Sequence, residues 1–538
     1  MFLPEVILGP PGCGKTSQLM SLFTEELARG VPPERIALVA FPRAAREEAM
    51  SRALKRFAFA ASRFVWLRTI HSASFRLLEL SHGQILDERR LAEFAAQHGY
   101  ELTVNGHRLD ALDVEPMAAV GSTRDDALLF VYEWGRNNLL DPEQSLSRCP
   151  VDDISASQFR LFVRRLEQFK REHGLFDFTD LLEQVLKRGL RPDVDVAMID
   201  EAHDLSPLQI AVVEAWFASC PRSYVCADDD QAIYGWQGAS PNWVRELAGR
   251  SKPTVLTVSK RVPILPHALA QRIISGNDDR VVKRYEPKDK IGRILRMDFA
   301  GAMALAARST DVFVLCRNRI FIRGVANELA ERGVPYLVEG WGGRCPLGDE
   351  RLVRAVKLVL ALKRGEAGPF PSSAVAALAH TVSTTCGLVS RAAVEQIDAR
   401  KGQGSFMRAE LVDQLGLVEL LQRIESDAPL SVLDKLRRDD RRYFEKLIAT
   451  YGTVPDPSVV VTTIHSAKGR ERELVIVLPN MTRTTHQSYL RRGSNHNETE
   501  NRVFYVAVTR TKDTLVLVDP TSRRNYQFPT FAFAEGLL

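Results

Sequence analysis

The stretch Glu5-Val6-Ile7-Leu8-Gly9-Pro10-Pro11-Gly12-Cys13-Gly14-Lys15-Thr16 decides the fold. Glu5 to Leu8 reads as a short strand, and Gly9 to Thr16 fits the pattern GxxxxGK[ST]. After it, Leu19, Leu22, Phe23 and Leu27 recur at helical spacing until Arg29-Gly30 supplies a stop. The order strand, glycine loop, helix has a physical purpose. Glycines let backbone N–H groups curl around phosphate oxygens, and the helix N-terminus adds positive potential there. Lys15 then reaches the terminal phosphates of a nucleotide, and Thr16 is placed to ligate Mg²⁺. Residues Gly9, Pro10, Pro11, Gly12, Cys13, Gly14, Lys15 and Thr16 form the predicted cradle, within an α/β fold.

Such a loop needs an acidic partner on a neighbouring strand. Val194 to Ile199 is an apolar run that ends in Asp200-Glu201-Ala202-His203-Asp204. Asp200 is placed to hold Mg²⁺ and Glu201 to polarise an attacking water as general base. Without the loop, this segment would read equally well as a strand end capped by two acids.

The chain has 538 residues, too many for one compact core. Hydrophobic residues make up 45% and charged residues 26%, as in ordinary globular proteins. No apolar run reaches the roughly 18 residues of a membrane helix. Met1-Phe2-Leu3-Pro4 enters the first strand without a basic leader, and the seven cysteines include no CxxC pair. The expectation is a cytoplasmic protein with no membrane, zinc site or disulfide framework. A net charge of +5 permits nucleic-acid binding without arguing for it.

Further segments narrow the class. Ala227-Asp228-Asp229-Asp230-Gln231-Ala232-Ile233-Tyr234-Gly235-Trp236-Gln237-Gly238-Ala239 resembles motif III of UvrD/Rep/PcrA-type superfamily 1 DNA helicases. Thr463-Ile464-His465-Ser466-Ala467-Lys468-Gly469 resembles their motif V, and Glu500 to Arg510 their motif VI. Phe41 to Ala45, Thr69 to Ser72, Phe176 to Leu182, Ser259-Lys260-Arg261 and Asp311 to Asn318 match further family segments, all in family order.

The resemblance implies two RecA-like P-loop motor domains, each with a mainly helical insertion and ATP bound between them. The first motor domain is placed at about 1–75 and 175–258, with an insertion at 76–174. The second is placed at about 259–345 and 456–538, split by a short helical insertion at 346–455. Arg483 to Asn501 reads as a polar, solvated loop.

The same resemblance assigns roles. Lys15, Glu201, Gln231, Arg261 and Arg510 are the catalytic set, with Gln231 sensing the γ-phosphate and the two arginines acting as fingers. Thr16 and Asp200 hold Mg²⁺. Glu471 is a candidate for the ribose, and Gln18, one turn into the first helix, for the base. Phe41 and Trp236 match positions that stack on bases, and His71, Thr463 and His465 positions near the DNA backbone. Lys260 and Gln237 depart from the family, whose members commonly carry tyrosine and arginine there. The implied activity is ATP-dependent 3′→5′ movement on single-stranded DNA with unwinding of tailed duplex, with room for a loading, replication or repair partner. A translocase that displaces proteins, a non-motor ATP switch on DNA, and RNA as the track are the alternatives.

Overall fold

The computed structural model describes residues 2–39, 60–103, 123–149, 151, 154–235, 238–339, 345–400, 402–425, 428–490, 496–520 and 526–538. Its frame is two parallel sheets. The first contains β1 (Glu5–Leu8), β2 (Ile36–Val39), β3 (Trp66–Arg68), β4 (Val196–Ile199), β5 (Arg222–Ala227) and β6 (Thr254–Val255), in the spatial order β3-β2-β4-β5-β1-β6. Residues 36–39 and 196–199 are wholly buried, as expected of strands covered by helices on both faces.

Register does the positioning. Leu8 lies beside Ala227, and Ile199 beside Val225, so Gly9, Asp200 and Asp228 emerge together at the carboxyl edge. That edge is where open α/β sheets bind ligands. The N–H of Gly9 donates to the Ala227 carbonyl at 2.9 Å and fixes the start of the glycine loop.

Two short parallel strands, β7 (Val258–Pro263) and β8 (Glu286–Lys288), lead into the second sheet. That sheet contains β9 (Arg293–Met297), β10 (Val312–Cys316) and β11 (Tyr336–Val338) before the second insertion. The insertion holds a small antiparallel pair, β12 (Phe370–Pro371) and β13 (Ser405–Phe406), among helices such as Glu350–Lys363 and Arg438–Tyr451. After it come β14 (Val459–Thr463), β15 (Arg472–Leu478), the short β16 (Asn480–Met481) and β17 (Thr511–Val518). The order is β11-β14-β10-β15-β17-β9 with every pairing parallel.

The two insertions are attached differently. Phe94, Phe159, Phe162 and Leu166 of the helices between β3 and β4 form a core of their own. A buried charge cluster ties this unit to the helix Phe178–Lys187, which packs on the first sheet. There the Lys170 ammonium contacts Asp177 at 2.7 Å and Asp180 at 2.9 Å, while Arg136 meets Asp177, Asp180 and Glu183. In the second half, by contrast, Leu352, Val356, Val359 and Leu447 of the insertion share one continuous core with Val312 and Val314 of β10.

The segment expected as a polar loop differs. Arg483–Leu490 is a helix, with Thr482 Oγ1 accepting from the Thr485 N–H at its start. A second helix, His496–Val508, begins inside the same stretch, and its last six residues are fully buried. Capping and that apolar end outweigh the polar composition in between.

Candidate active site

The glycine loop needs its glycines. Gly12 sits at φ +75°, and a Cβ there would come within 2.5 Å of Arg261 Cβ. Ser259 Oγ donates to the Pro11 carbonyl at 2.8 Å, and the Lys260 N–H to the Gly12 carbonyl at 2.9 Å. These bonds fasten β7 onto the loop and hold Arg261 at its rim. Gly14, at φ +86°, precedes the helix Lys15–Ala28, whose first turn carries Lys15 and Thr16. Gln18 stands one turn in and is half-buried.

The acids meet this turn at short range. Thr16 Oγ1 donates to Asp200 Oδ2 at 2.9 Å, and Lys15 Nζ lies 3.6 Å from Glu201 Oε1. Glu201 adopts φ 50°, a left-handed conformation that costs a non-glycine residue roughly 1–3 kcal/mol. Burial alone would raise the Glu201 carboxyl, but Lys15, Lys468 and Arg510 outweigh it and keep the group ionised. Burial and then Glu201 push Asp200 up to about 6, against Lys15 and the Thr16 hydrogen bond. A hydroxyl and a buried carboxylate that lacks full compensation are the donor set a hard divalent cation takes, so these residues fit Mg²⁺.

Cations from the second half close the pocket. Arg510, fully buried, donates from Nη2 to Gln231 Oε1 at 3.3 Å, and the Gln231 amide donates to Asp228 Oδ2 at 2.6 Å. Burial and the neighbouring Arg261 pull the Arg510 guanidinium down to about 9, although Glu471 and Glu201 oppose them. Arg261 pairs with Glu471, so Glu471 is engaged by a guanidinium here and is only partly exposed. A buried guanidinium whose charge is opposed by burial and by a neighbouring arginine marks a place for an anion.

A model of the UvrD/REP helicase N-terminal domain matches residues 3–251, and one of the UvrD-like helicase C-terminal domain matches residues 447–520. Together they cover more than half of the chain. The chain belongs to the UvrD/REP helicase family. It is 24% identical to the ATP-dependent DNA helicase UvrD2 of Mycobacterium tuberculosis over 571 residues, covering 97% of this chain and 77% of that one. It is 21% identical to the ATP-dependent DNA helicase PcrA of Staphylococcus aureus over 615 residues, covering 98% and 82% respectively.

The UvrD/REP-family positions assigned to DNA are less alike than the sequence implied. Phe41 and Trp236 lie outside the described residues. His71 is half-buried on the helix Ile70–Leu77, edge-on to Phe178 with centroids 5.8 Å apart. Thr463 and His465 are buried. Thr463 Oγ1 donates to Ser466 Oγ and caps its own turn, while the His465 carbonyl accepts from the Tyr234 hydroxyl at 3.1 Å. Burial, Arg317 and Lys468 hold the His465 ring well below the ordinary histidine range, so it is neutral. These two side chains therefore shape the loop after β14 and do not present themselves to solvent.

The structure adds members of this helicase-family site that sequence reading passed over. Lys283, from the loop before β8, is buried among Asp228, Asp229 and Asp230, with Asp228 at 3.1 Å and Asp230 at 3.0 Å. Arg280 Nε donates to Asp230 Oδ1 at 2.7 Å. Lys468 Nζ crosses from the second half to Asp204 Oδ2 at 2.5 Å and to the Gln231 carbonyl at 2.7 Å. Lys468 and Asp204 lie inside segments already singled out for other residues. Lys283 carries no local signal, because its partners are more than fifty positions away.

Proposed function

We propose that this UvrD/REP-family chain is an ATP-dependent DNA helicase that moves 3′→5′ along single-stranded DNA and unwinds duplex. The observation that carries the reading is the meeting of cations from both halves: Lys15 beside Glu201 in the first, Arg261 and Arg510 reaching in from the second.

Phosphoryl transfer to water needs positioned charge more than covalent help. In this reading Lys15 and the loop N–H groups bind the terminal phosphates, and Thr16 with Asp200 holds Mg²⁺. The ion, when bound, lowers the charge on the transferring oxygens. Glu201 accepts the proton of the attacking water. Gln231 holds Arg510 on the first half, so both fingers reach the γ-phosphate only with the cleft closed. An arginine finger contributes about 10³–10⁵ in rate, which makes closure the gate for hydrolysis. The segment that ends in Gln231 continues to Trp236, which would stack on a base, so nucleotide state and strand grip are linked through five residues.

Strand separation on duplexes with 3′ or 5′ single-stranded tails tests the proposal directly. Unwinding of the 3′-tailed substrate alone, with hydrolysis stimulated by single strands, is the expected outcome. Preference for the 5′ tail overturns the polarity, and displacement of bound protein without strand separation identifies a translocase. The shortness of the second insertion, at 346–455, is the observation favouring that second reading.

A further inference from the structure

We propose that His203 is a positioning residue for Glu201, and that Lys468 from the second half completes this cluster across the closed cleft. The proposal rests on reading Glu201 as the general base. His203 is completely buried, one single turn beyond Glu201 and at the carboxyl edge of β4. Its ring is held at Nδ1. The Asp228 N–H donates to Nδ1 at 3.0 Å, so Nδ1 is the acceptor and the proton of the neutral ring sits on Nε2. Nε2 lies 3.2 Å from Glu201 Oε2, a buried oxygen with no hydrogen-bond partner of its own. Catalytic hydrogen bonds that are poorly aligned without substrate tighten once it is bound. The Nε2–H is thus the donor that can fix the free carboxylate oxygen, leaving Oε1 on the Lys15 side.

Lys468 supplies the cross-cleft part. Its ammonium is anchored by Asp204 at 2.5 Å and the Gln231 carbonyl at 2.7 Å, and it faces the protonated Nε2 at 3.0 Å as donor against donor, with no hydrogen bond between them. The Tyr234 ring backs it at 5.0 Å. A positive charge in that place keeps a second proton off the ring. His203 is then held neutral, by burial first and by Lys468, Lys15 and Lys283 after it. Lys468 arrives on the loop between β14 and β15, so withdrawing the second half removes it from the cluster.

The test is single-strand-stimulated ATP hydrolysis by the full chain, with kcat and KM separated. His203→Leu lowers kcat by about 10- to 100-fold, part of the 10²–10⁴ that a positioned base contributes, with KM for ATP within about threefold. His203→Gln stays within about threefold of the parent kcat, because its amide offers one acceptor to Asp228 and one donor to Glu201. A merely structural histidine would not separate the two variants this way. Lys468→Met lowers kcat similarly, and adding it to His203→Leu costs little more, since both act on one carboxylate. If His203→Leu does not fold, His203→Asn takes its place, because the shorter amide cannot span both partners. A leucine variant with parental kcat, a glutamine variant as slow as leucine, or additive losses in the double variant overturns the proposal. Glu201→Gln is the reference. If that variant still turns over, the reading of Glu201 fails; if it is inactive while His203→Leu is not, this inference alone fails.

Discussion

Replacing Lys283 with methionine removes one charge from a cluster that has no solvent to replace it. Asp228, Asp229 and Asp230 are all fully buried, and the two cations in direct ion pairs with them among the described residues are Lys283 and Arg280, with Lys15 acting on Asp228 from farther off. Three carboxylates against two cations become three against one. Breaking a buried ion pair by removing one partner costs about 3–5 kcal/mol, because the remaining charge stays desolvated. At about 2–4 °C per kcal/mol for a unit of a few hundred residues, the thermal midpoint falls by roughly 10 °C. The pH dependence has a definite sign. Burial raises the Asp228 carboxyl and Asp230 adds to this, with Lys283 the main opposing charge, so the variant raises it further. A carboxyl raised in the fold opposes folding at neutral pH, and that opposition is relieved as the pH falls and the group takes up a proton. The gap between variant and parent therefore narrows from neutral pH toward the ordinary aspartate range. Scanning fluorimetry of both proteins across that range measures it. A midpoint within a degree of the parent at pH 7, or a gap that widens on acidification, refutes the reasoning.

Two further outcomes follow from the cleft. Arg510→Ala loses about 10³ or more in single-strand-stimulated turnover while still binding nucleotide through the glycine loop, measured by steady-state kinetics and equilibrium nucleotide binding; a loss below tenfold removes Arg510 from the transition state. Trp236→Ala keeps basal hydrolysis and loses most of its stimulation by single strands, and stimulation at the parental level shows that this ring does not transmit.

Much of the nucleotide cradle was legible because its geometry is local. A strand, three glycines, a lysine and a threonine within twelve residues define the loop, and register then brings Asp200 and Asp228 to the same edge. Long-range charge is where reading stopped. Nothing near Lys283 says that it answers three aspartates, and nothing near Lys468 says that it crosses to Asp204. The helices after Thr482 were missed because capping and burial decided them against a polar composition. Thr463 and His465 were assigned by likeness to other chains, which says where a loop lies and not which of its side chains turns inward.

The unequal attachment of the two insertions has a mechanical consequence. A joint needs a stretch crossed by few contacts, and an apolar core running unbroken from Val314 into Leu352 and Leu447 offers none. The second insertion is thus packed onto the second sheet as part of one apolar body, with no change of core between them. The first insertion is closer to a bolted plate, its own core resting on Arg136, Lys170 and the carboxylates beneath them. One insertion is joined to its sheet by apolar packing and the other largely by charge, so salt and pH act on the attachment of the first insertion and not on that of the second.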